Sequence, residues 1–257
     1  MDAILTAGGI PKPGEPLYEI TRGQPKALLD VAGKPMVQWV LDALNASRHV
    51  EHIVVIGLEA DAPITSAKPL TFLPSRGHMV DNILAGANAI LERSPQTEYA
   101  IVACSDIPAI TGAMVDWLAE QALADPADAY YTVIRRETME KRFPGSKRSY
   151  THLKDATVCG GDINIFRPSL AHTNIEFWDK VIESRKNVFK QAALVGYDTL
   201  LLLLLRQLTL QAAIEKVTRR LNLRGRAIVS PYAEMGMDVD KPFQLEILRA
   251  DLARRAA

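Results

Sequence analysis

A glycine pair, one lysine and three aspartates are the residues whose types and spacing could do chemistry. Gly8 and Gly9 follow Ala7 directly behind the apolar Ala3-Ile4-Leu5, and Lys26 comes later in the same loop, after Pro25. Glycine opens backbone dihedrals closed to other residues, so its amide N–H groups can approach an anion, and a lysine adds a compact positive charge. An ordinary tight turn with a surface lysine would use the same residues. Asp106, in Ala103-Cys104-Ser105-Asp106-Ile107-Pro108, falls just past the end of an apolar run, and the proline turns the chain away there. A carboxylate at the carboxyl end of a buried strand is placed where ligands bind in open α/β sheets. A helix N-cap near Ile110-Thr111 is the competing use. Asp238 and Asp240, in Gly236-Met237-Asp238-Val239-Asp240-Lys241-Pro242, are two apart. On an extended segment they point the same way and suit an oxygen-loving cation, although Asp240 could instead cap the last helix.

These residues need elements to carry them. Val37, Val40, Leu41 and Leu44 have the spacing of one helix face, whereas Ile53-Val54-Val55-Ile56 is a continuous β-branched run suited to a strand covered on both sides. Further strands are expected at Tyr99 to Cys104 and Ala129 to Ile134, and helices at Val80 to Leu91 and Ala113 to Leu123. This βαβα order predicts an α/β fold, a Rossmann-like three-layer sandwich with a mostly parallel sheet and helices on both faces. The pattern from about Asn174 to Leu223 is wholly helical, with Phe177, Trp178, Val181 and Ile182 on one face and Leu210, Ala213, Ile214 and Val217 on another. We read residues 168–224 as a helical insertion within one domain spanning 1–257. A strand at Arg226 to Val229 and a helix at Phe243 to Leu252 complete the expected order.

The 30 basic and 30 acidic residues of the 257-residue chain cancel, so no overall field favours nucleic acid or an anionic membrane, and no nucleic-acid partner is expected. Cys104 and Cys159 are the only cysteines and are expected as buried reduced thiols. With no basic segment and long apolar stretch at the N-terminus, the expected location is cytoplasmic. The run Leu200 to Leu205 is too short to span a bilayer. With Arg185, Lys186 and Lys190 ahead of it, it admits burial against neighbouring helices, contact with a membrane surface or a lipid-linked acceptor, or pairing in a homodimer.

Pro25-Lys26-Ala27-Leu28-Leu29, followed by Ala32-Gly33-Lys34-Pro35-Met36-Val37-Gln38, resembles the N-terminal signature of sugar-1-phosphate nucleotidyltransferases. It looks most like the uridylyltransferase half of the bifunctional N-acetylglucosamine-1-phosphate enzyme, and more loosely like the molybdenum cofactor guanylyltransferases (MobA-like, GT-A-like fold). The resemblance implies that Ala7, Gly8, Gly9 and Lys26 hold the nucleotide phosphates, with Lys26 and Asp106 catalytic. It implies Mg²⁺ between Asp106 and Asp238, with Asp240 a cap or supporting residue. Gly77 and Asn82, near Arg76 and His78, would contact the base, and Gly161 and Asn164 the phosphorylated sugar, polyol or cofactor that accepts the NMP with release of pyrophosphate. Relatives continue the glycine loop with an arginine; here Gly9-Ile10-Pro11-Lys12-Pro13-Gly14 has none, and Lys12 and Arg22 are the cations that could replace it. A glycosyltransferase using a nucleotide sugar and a non-catalytic nucleotide-binding regulator are the alternatives. The first normally carries its Asp-x-Asp motif early in the domain, not near the C-terminus.

Overall fold

The computed structural model describes residues 1–173, 196–220 and 222–256. Its centre is a nine-stranded sheet. In chain order the first strands of the sheet are β1 (Asp2–Thr6), β4 (His52–Ile56), β5 (Leu70–Leu73) and β6 (Ala100–Cys104), with the small β2–β3 ribbon (Asp30–Val31, Lys34–Pro35) between β1 and β4. They are followed by β7 (Ala129–Arg135), β8 (Thr151–His152), β9 (Thr157–Gly160), β10 (Ile163–Phe166) and β11 (Gly225–Ser230). The order is β5-β4-β1-β6-β10-β7-β9-β8, with β11 on the free side of β7. β1 pairs in parallel with both β4 and β6, and β11 in parallel with β7; β9 and β10 run against them. The carboxyl ends of β1, β4, β6 and β7 therefore lie along one edge.

The apolar runs form strands because both faces of the sheet are covered. Ala3, Leu5, Ile53 and Val55 enter one core, while Ile4, Val54 and Ile56 enter a second on the opposite face. The first core is closed by α2 (Met36–Ala46), α4 (Gly112–Ala124) and α8 (Pro242–Ala256), and the second by α3 (Met79–Arg93). Val37, Val40, Leu41 and Leu44 are all fully buried, as their spacing predicts; each such side chain contributes about 1.5–3 kcal/mol by leaving water. Thr111, not Asp106, caps α4, its hydroxyl accepting from the Met114 N–H. α8 begins with Pro242 at its first turn, and the Gln244 side chain reaches back to the N–H groups of Asp240 and Lys241, so the capping is supplied by Gln244 and not by the Asp240 carboxylate.

Within the expected helical region the described residues hold a short turn at Pro168–Ala171, α6 (Tyr197–Leu204) and α7 (Leu210–Arg220). The helical pattern is interrupted at 205–209. Phe177, Trp178, Val181, Ile182, Arg185, Lys186 and Lys190 lie outside the described residues. Leu203 and Leu210 pack with Val133, Leu153 and Val158, whereas Leu204 and Leu205 are exposed, so the leucine run is not buried along its whole length. Among the described residues, no helix is long and apolar enough to cross a membrane. Cys104 is only half-buried, at the strand end that opens toward the ligand edge; Cys159 is buried, and both are free.

The loop after β1 is fixed by a backbone contact the sequence pattern did not announce. Gly57 leaves β4 with φ +94°, and a Cβ there would stand 2.2 Å from the Gly8 Cα. Gly57→Ala therefore combines left-handed strain with a clash against main chain, and is expected to cost about 2–5 kcal/mol in chemical denaturation. A loss below about 0.5 kcal/mol would show that the loop relaxes freely away from β4.

Candidate active site

Strand ends and a C-terminal segment bring the charged residues together. Lys26 opens a 3-10 turn, Lys26–Leu28, whose first N–H donates to the Gly9 carbonyl at 2.8 Å and so ties the glycine loop to the lysine. Asp106 follows β6, and its carbonyl accepts from the Val239 N–H at 3.0 Å, drawing the 238–240 segment across the strand end. The result is an ion triad: the Lys26 ammonium lies 2.6 Å from Asp106 Oδ2 and 3.0 Å from Asp240 Oδ1. Burial works against the charge on Lys26, but the two carboxylates outweigh it and raise its pKa. The other Asp106 oxygen, Oδ1, is buried without a hydrogen-bond partner.

The triad opens into a cavity of about 350 Å³ lined by Gly8, Gly9, Gly77, His78, Asn82 and Cys104 among others. Gly9 has no neighbour within 4 Å of where a Cβ would stand and no positive φ, so nothing in the protein's own packing calls for glycine there. Its bare backbone borders the cavity. Ala7, buried, passes its N–H back to Ile56 in β4 and serves as the rigid root of the loop. Asn82 is also buried and accepts from the Arg76 N–H at 2.7 Å, which shapes the turn carrying Gly77 (φ +87°). Lys12 and Arg22 make no ion pair with a described residue; Glu15 instead accepts from the Lys12 backbone N–H.

A second charged group adjoins the first. Asp162 sits where β9 passes into β10, and its backbone is held by Cys104 on one side and Met235 on the other. Arg148 forms ion pairs with Asp162 and Asp238, its guanidinium almost wholly enclosed. Burial, together with the charges of Asp106 and Asp240, pushes the Asp162 carboxyl up to about 7 despite Arg148. Burial and the neighbouring Asp106 and Asp162 likewise push the Cys104 thiol up to about 12, so it is no nucleophile at neutral pH.

Asp238, read as a metal ligand, is turned to Arg148, and Asp240 is the carboxylate that meets Lys26. Residues 237–240 follow a 3-10 turn, Ala233–Gly236, and pair with no strand, and the two carboxylates meet different cations. Asn164, read as an acceptor-binding amide, spends its carboxamide on the strand bend: Oδ1 accepts from Thr132 N–H and Nδ2 donates to the Gly161 carbonyl. Gly161 is needed there because a Cβ would press on Thr132 at 2.9 Å. Asp162 and Arg148 were missed. A carboxylate between a glycine pair and an apolar strand was the available signal for the first; nothing local marked the second.

An open α/β sheet with a glycine loop, a lysine and paired carboxylates at its strand ends defines the class, a nucleotidyltransferase. The chain belongs to the family of the MobA-like NTP transferase domain, whose model matches residues 21–225. That span includes Lys26, Asp106 and Asp162 but not the glycine pair or Asp240. A hypothetical transferase from Thermus thermophilus is 34% identical, with a TM-score of 0.81 over 95% of this chain and 98% of that one. CMP:2-keto-3-deoxy-manno-octonic acid synthetase complexed with CTP shares the fold, with a TM-score of 0.57 at 15% identity over 99% and 98% of the two chains. A 2-C-methyl-D-erythritol 4-phosphate cytidylyltransferase of Parasynechococcus marenigrum (strain WH8102) is 34% identical over 77 residues, 28% of this chain and 34% of that relative.

The raised Asp162 pKa sets a pH dependence of stability. A folded pKa above the unfolded value near 4 means that the native state binds the extra proton; that contribution is complete below about pH 4 and is lost as pH rises through about 7. Asp162→Asn is therefore expected to stabilise the metal-free protein at pH 8, by about 2 kcal/mol, and to change little at pH 4. Melting curves of both proteins across that range check this; an equal shift at both pH values would mean that the carboxyl is not the titrating group.

Proposed function

We propose that the protein transfers a nucleotidyl group from an NTP to a phosphate monoester of a sugar, polyol or cofactor. The observation that carries this reading is the Lys26 ammonium in contact with Asp106 and Asp240 beside the bare Gly8-Gly9 backbone, in one cavity at the strand ends. An oxygen of the acceptor phosphate attacks the α-phosphorus, the bond from that phosphorus to the bridging oxygen breaks, and pyrophosphate leaves with the electron pair. No general base is needed, since the attacking phosphate is already ionised. Such transfer relies on alignment and charge neutralisation. Lys26 and the loop amides neutralise the triphosphate, and Asn82 holds the turn bearing Gly77 against the base. Lys12 and Arg22, exposed in the same loop, are the cations available in place of the absent arginine. CTP is the first nucleotide to test, because the relatives just described include a cytidylyltransferase and a CTP-bound synthetase.

Mg²⁺ fits the donors present. Asp106 Oδ1 lacks a partner, and four carboxylates (Asp106, Asp162, Asp238 and Asp240) face two cations, Lys26 and Arg148, so the group has room for a further positive charge. Asp106 and Asp240 would hold the ion, whose chemistry is to bridge and neutralise phosphate oxygens. Among the described residues no three His, Cys, Asp or Glu side chains gather as a cage; Mg²⁺ ordinarily takes one or two carboxylates and fills its shell with water and phosphate.

Pyrophosphate release from each of the four NTPs, with Mg²⁺ and a panel of phosphorylated sugars and polyols, tests the reading. Turnover only with a nucleotide sugar would favour a glycosyltransferase, and nucleotide binding without turnover a regulator. Asp106→Asn, Asp240→Asn and Lys26→Met are each expected to lower kcat at least about a hundredfold, some 2.7 kcal/mol of transition-state energy. Asp238→Asn should act differently: it strips the enclosed Arg148 of a partner and costs about 1–3 kcal/mol of stability. If Asp238→Asn abolishes turnover at full stability while Asp240→Asn retains it, the carboxylate assignment is reversed. Gly9→Ala, which meets no protein atom, is expected to raise the KM for NTP with an unchanged melting temperature.

A further inference from the structure

Away from the cavity, a set of enclosed ion pairs has no part in the chemistry above. Arg142, at the end of α5 (Arg136–Arg142), donates from Nε to Glu234 Oε1 at 2.7 Å and grips Asp251 of α8 with both terminal nitrogens, at 2.9 and 2.7 Å. Arg255 joins from the same helix, 3.4 Å from Glu234 and 3.0 Å from Asp251. The Glu234 side chain is 9% exposed and that of Asp251 7%. Burial pushes the Asp251 carboxyl up, yet Arg142, Arg255 and Arg254 pull it below its usual value. Isolated from its surroundings, such a cluster is a poor source of stability, because desolvating the charges consumes most of their attraction. What it supplies is direction, and Glu234 is where direction matters.

Glu234 lies in the 3-10 turn Ala233–Gly236. The next residue, Met235, accepts the Asp162 N–H at 2.8 Å, and Gly236 is pressed so closely on β9 that a Cβ would come within 2.8 Å of the Gly160 carbonyl. The chain leaving the turn carries Asp238 and Asp240, and its Val239 N–H is bound to the Asp106 carbonyl. One turn therefore sets the places of three of the four site carboxylates. We propose that the Arg142–Glu234 ion pair is a positioning device for the active site: it fixes the rotation of this turn, and through it Asp162, Asp238 and Asp240, without touching substrate. This rests on the functional reading above and extends it.

The test uses the full chain. Glu234→Gln keeps shape and leaves Arg142 its two-pronged bond to Asp251, so the fold should survive. Hydrogen–deuterium exchange is expected to rise about tenfold or more in peptides covering 157–166 and 236–241, with β1 and β4 unchanged. In turnover, kcat is expected to fall about tenfold or more while KM for the NTP moves less than about threefold, since the glycine loop is anchored elsewhere. An apolar pair, Arg142→Met with Glu234→Leu, gives the second arm. It also removes the Arg142 bond to Asp251, leaving that carboxylate to Arg254 and Arg255, so it should lose melting temperature and recover neither the exchange protection nor the rate. Restoration of all three by the apolar pair would overturn the proposal, since packing alone would then suffice; so would exchange that rises only within 233–236 and α8, or uniformly over the chain. Should the wild type turn over no substrate pair, the functional reading falls, and the exchange contrast still decides the positioning role.

Discussion

One ammonium group between two carboxylates is the constraint on which the rest of the site depends. Asp106 and Asp240 stand within about 6 Å of each other, where two bare negative charges would repel by roughly 3–4 kcal/mol at the effective dielectric of a protein surface. Lys26 removes that repulsion and in doing so joins three parts of the chain that lie far apart in sequence. Its N–H holds the glycine loop, while its ammonium holds the end of β6 and the segment before α8. The backbone around it is correspondingly rigid: Gly8 rests on Gly57, and Val239 is tied to Asp106. A site of this kind meets its ligand with the donors already in place, which lowers the cost of ordering them on binding.

The lysine does not balance the whole group. Burial opposes the ionisation of Asp162, the charges of Asp106 and Asp240 add to that, and Arg148 offsets it only in part. A strongly perturbed carboxyl in a cleft is a common feature of functional sites. On the function proposed, polyphosphate would add negative charge here, and the proposed Mg²⁺ would offset it.

How much of this was legible in the sequence follows from how far apart the interacting residues are. The helix face of Val37, Val40, Leu41 and Leu44 and the strand Ile53 to Ile56 are local patterns set by burial, and the structure reproduces them. The glycine pair and Asp106 stood out because each follows the end of an apolar run, and Lys26 because Pro25-Lys26 resembles a family signature. The roles of Asp238 and Asp240 could not be divided from sequence, because the segment follows a 3-10 turn, Ala233–Gly236, and the side chains they meet, Arg148 and Lys26, lie far off along the chain. The bend between β9 and β10, for which Asn164 spends its amide, could not be seen either: its partner, Thr132, lies 32 residues away and belongs to another strand. Arg148 meets Asp238 across 90 residues, a pairing that no periodicity encodes.

The 214 residues separating Lys26 from Asp240 also bear on how the molecule comes to be. Contacts of such separation form late, because loop closure must be met before they give anything back. During synthesis, β1, β4 and β6 can pair and bury their apolar runs well before residue 240 exists, since each lies within the first 104 residues. The scaffold is thus in place while Lys26 still has only Asp106 for company. The site is completed by the segment after β11, and a chain interrupted there would keep most of its sheet and still lack a finished pocket.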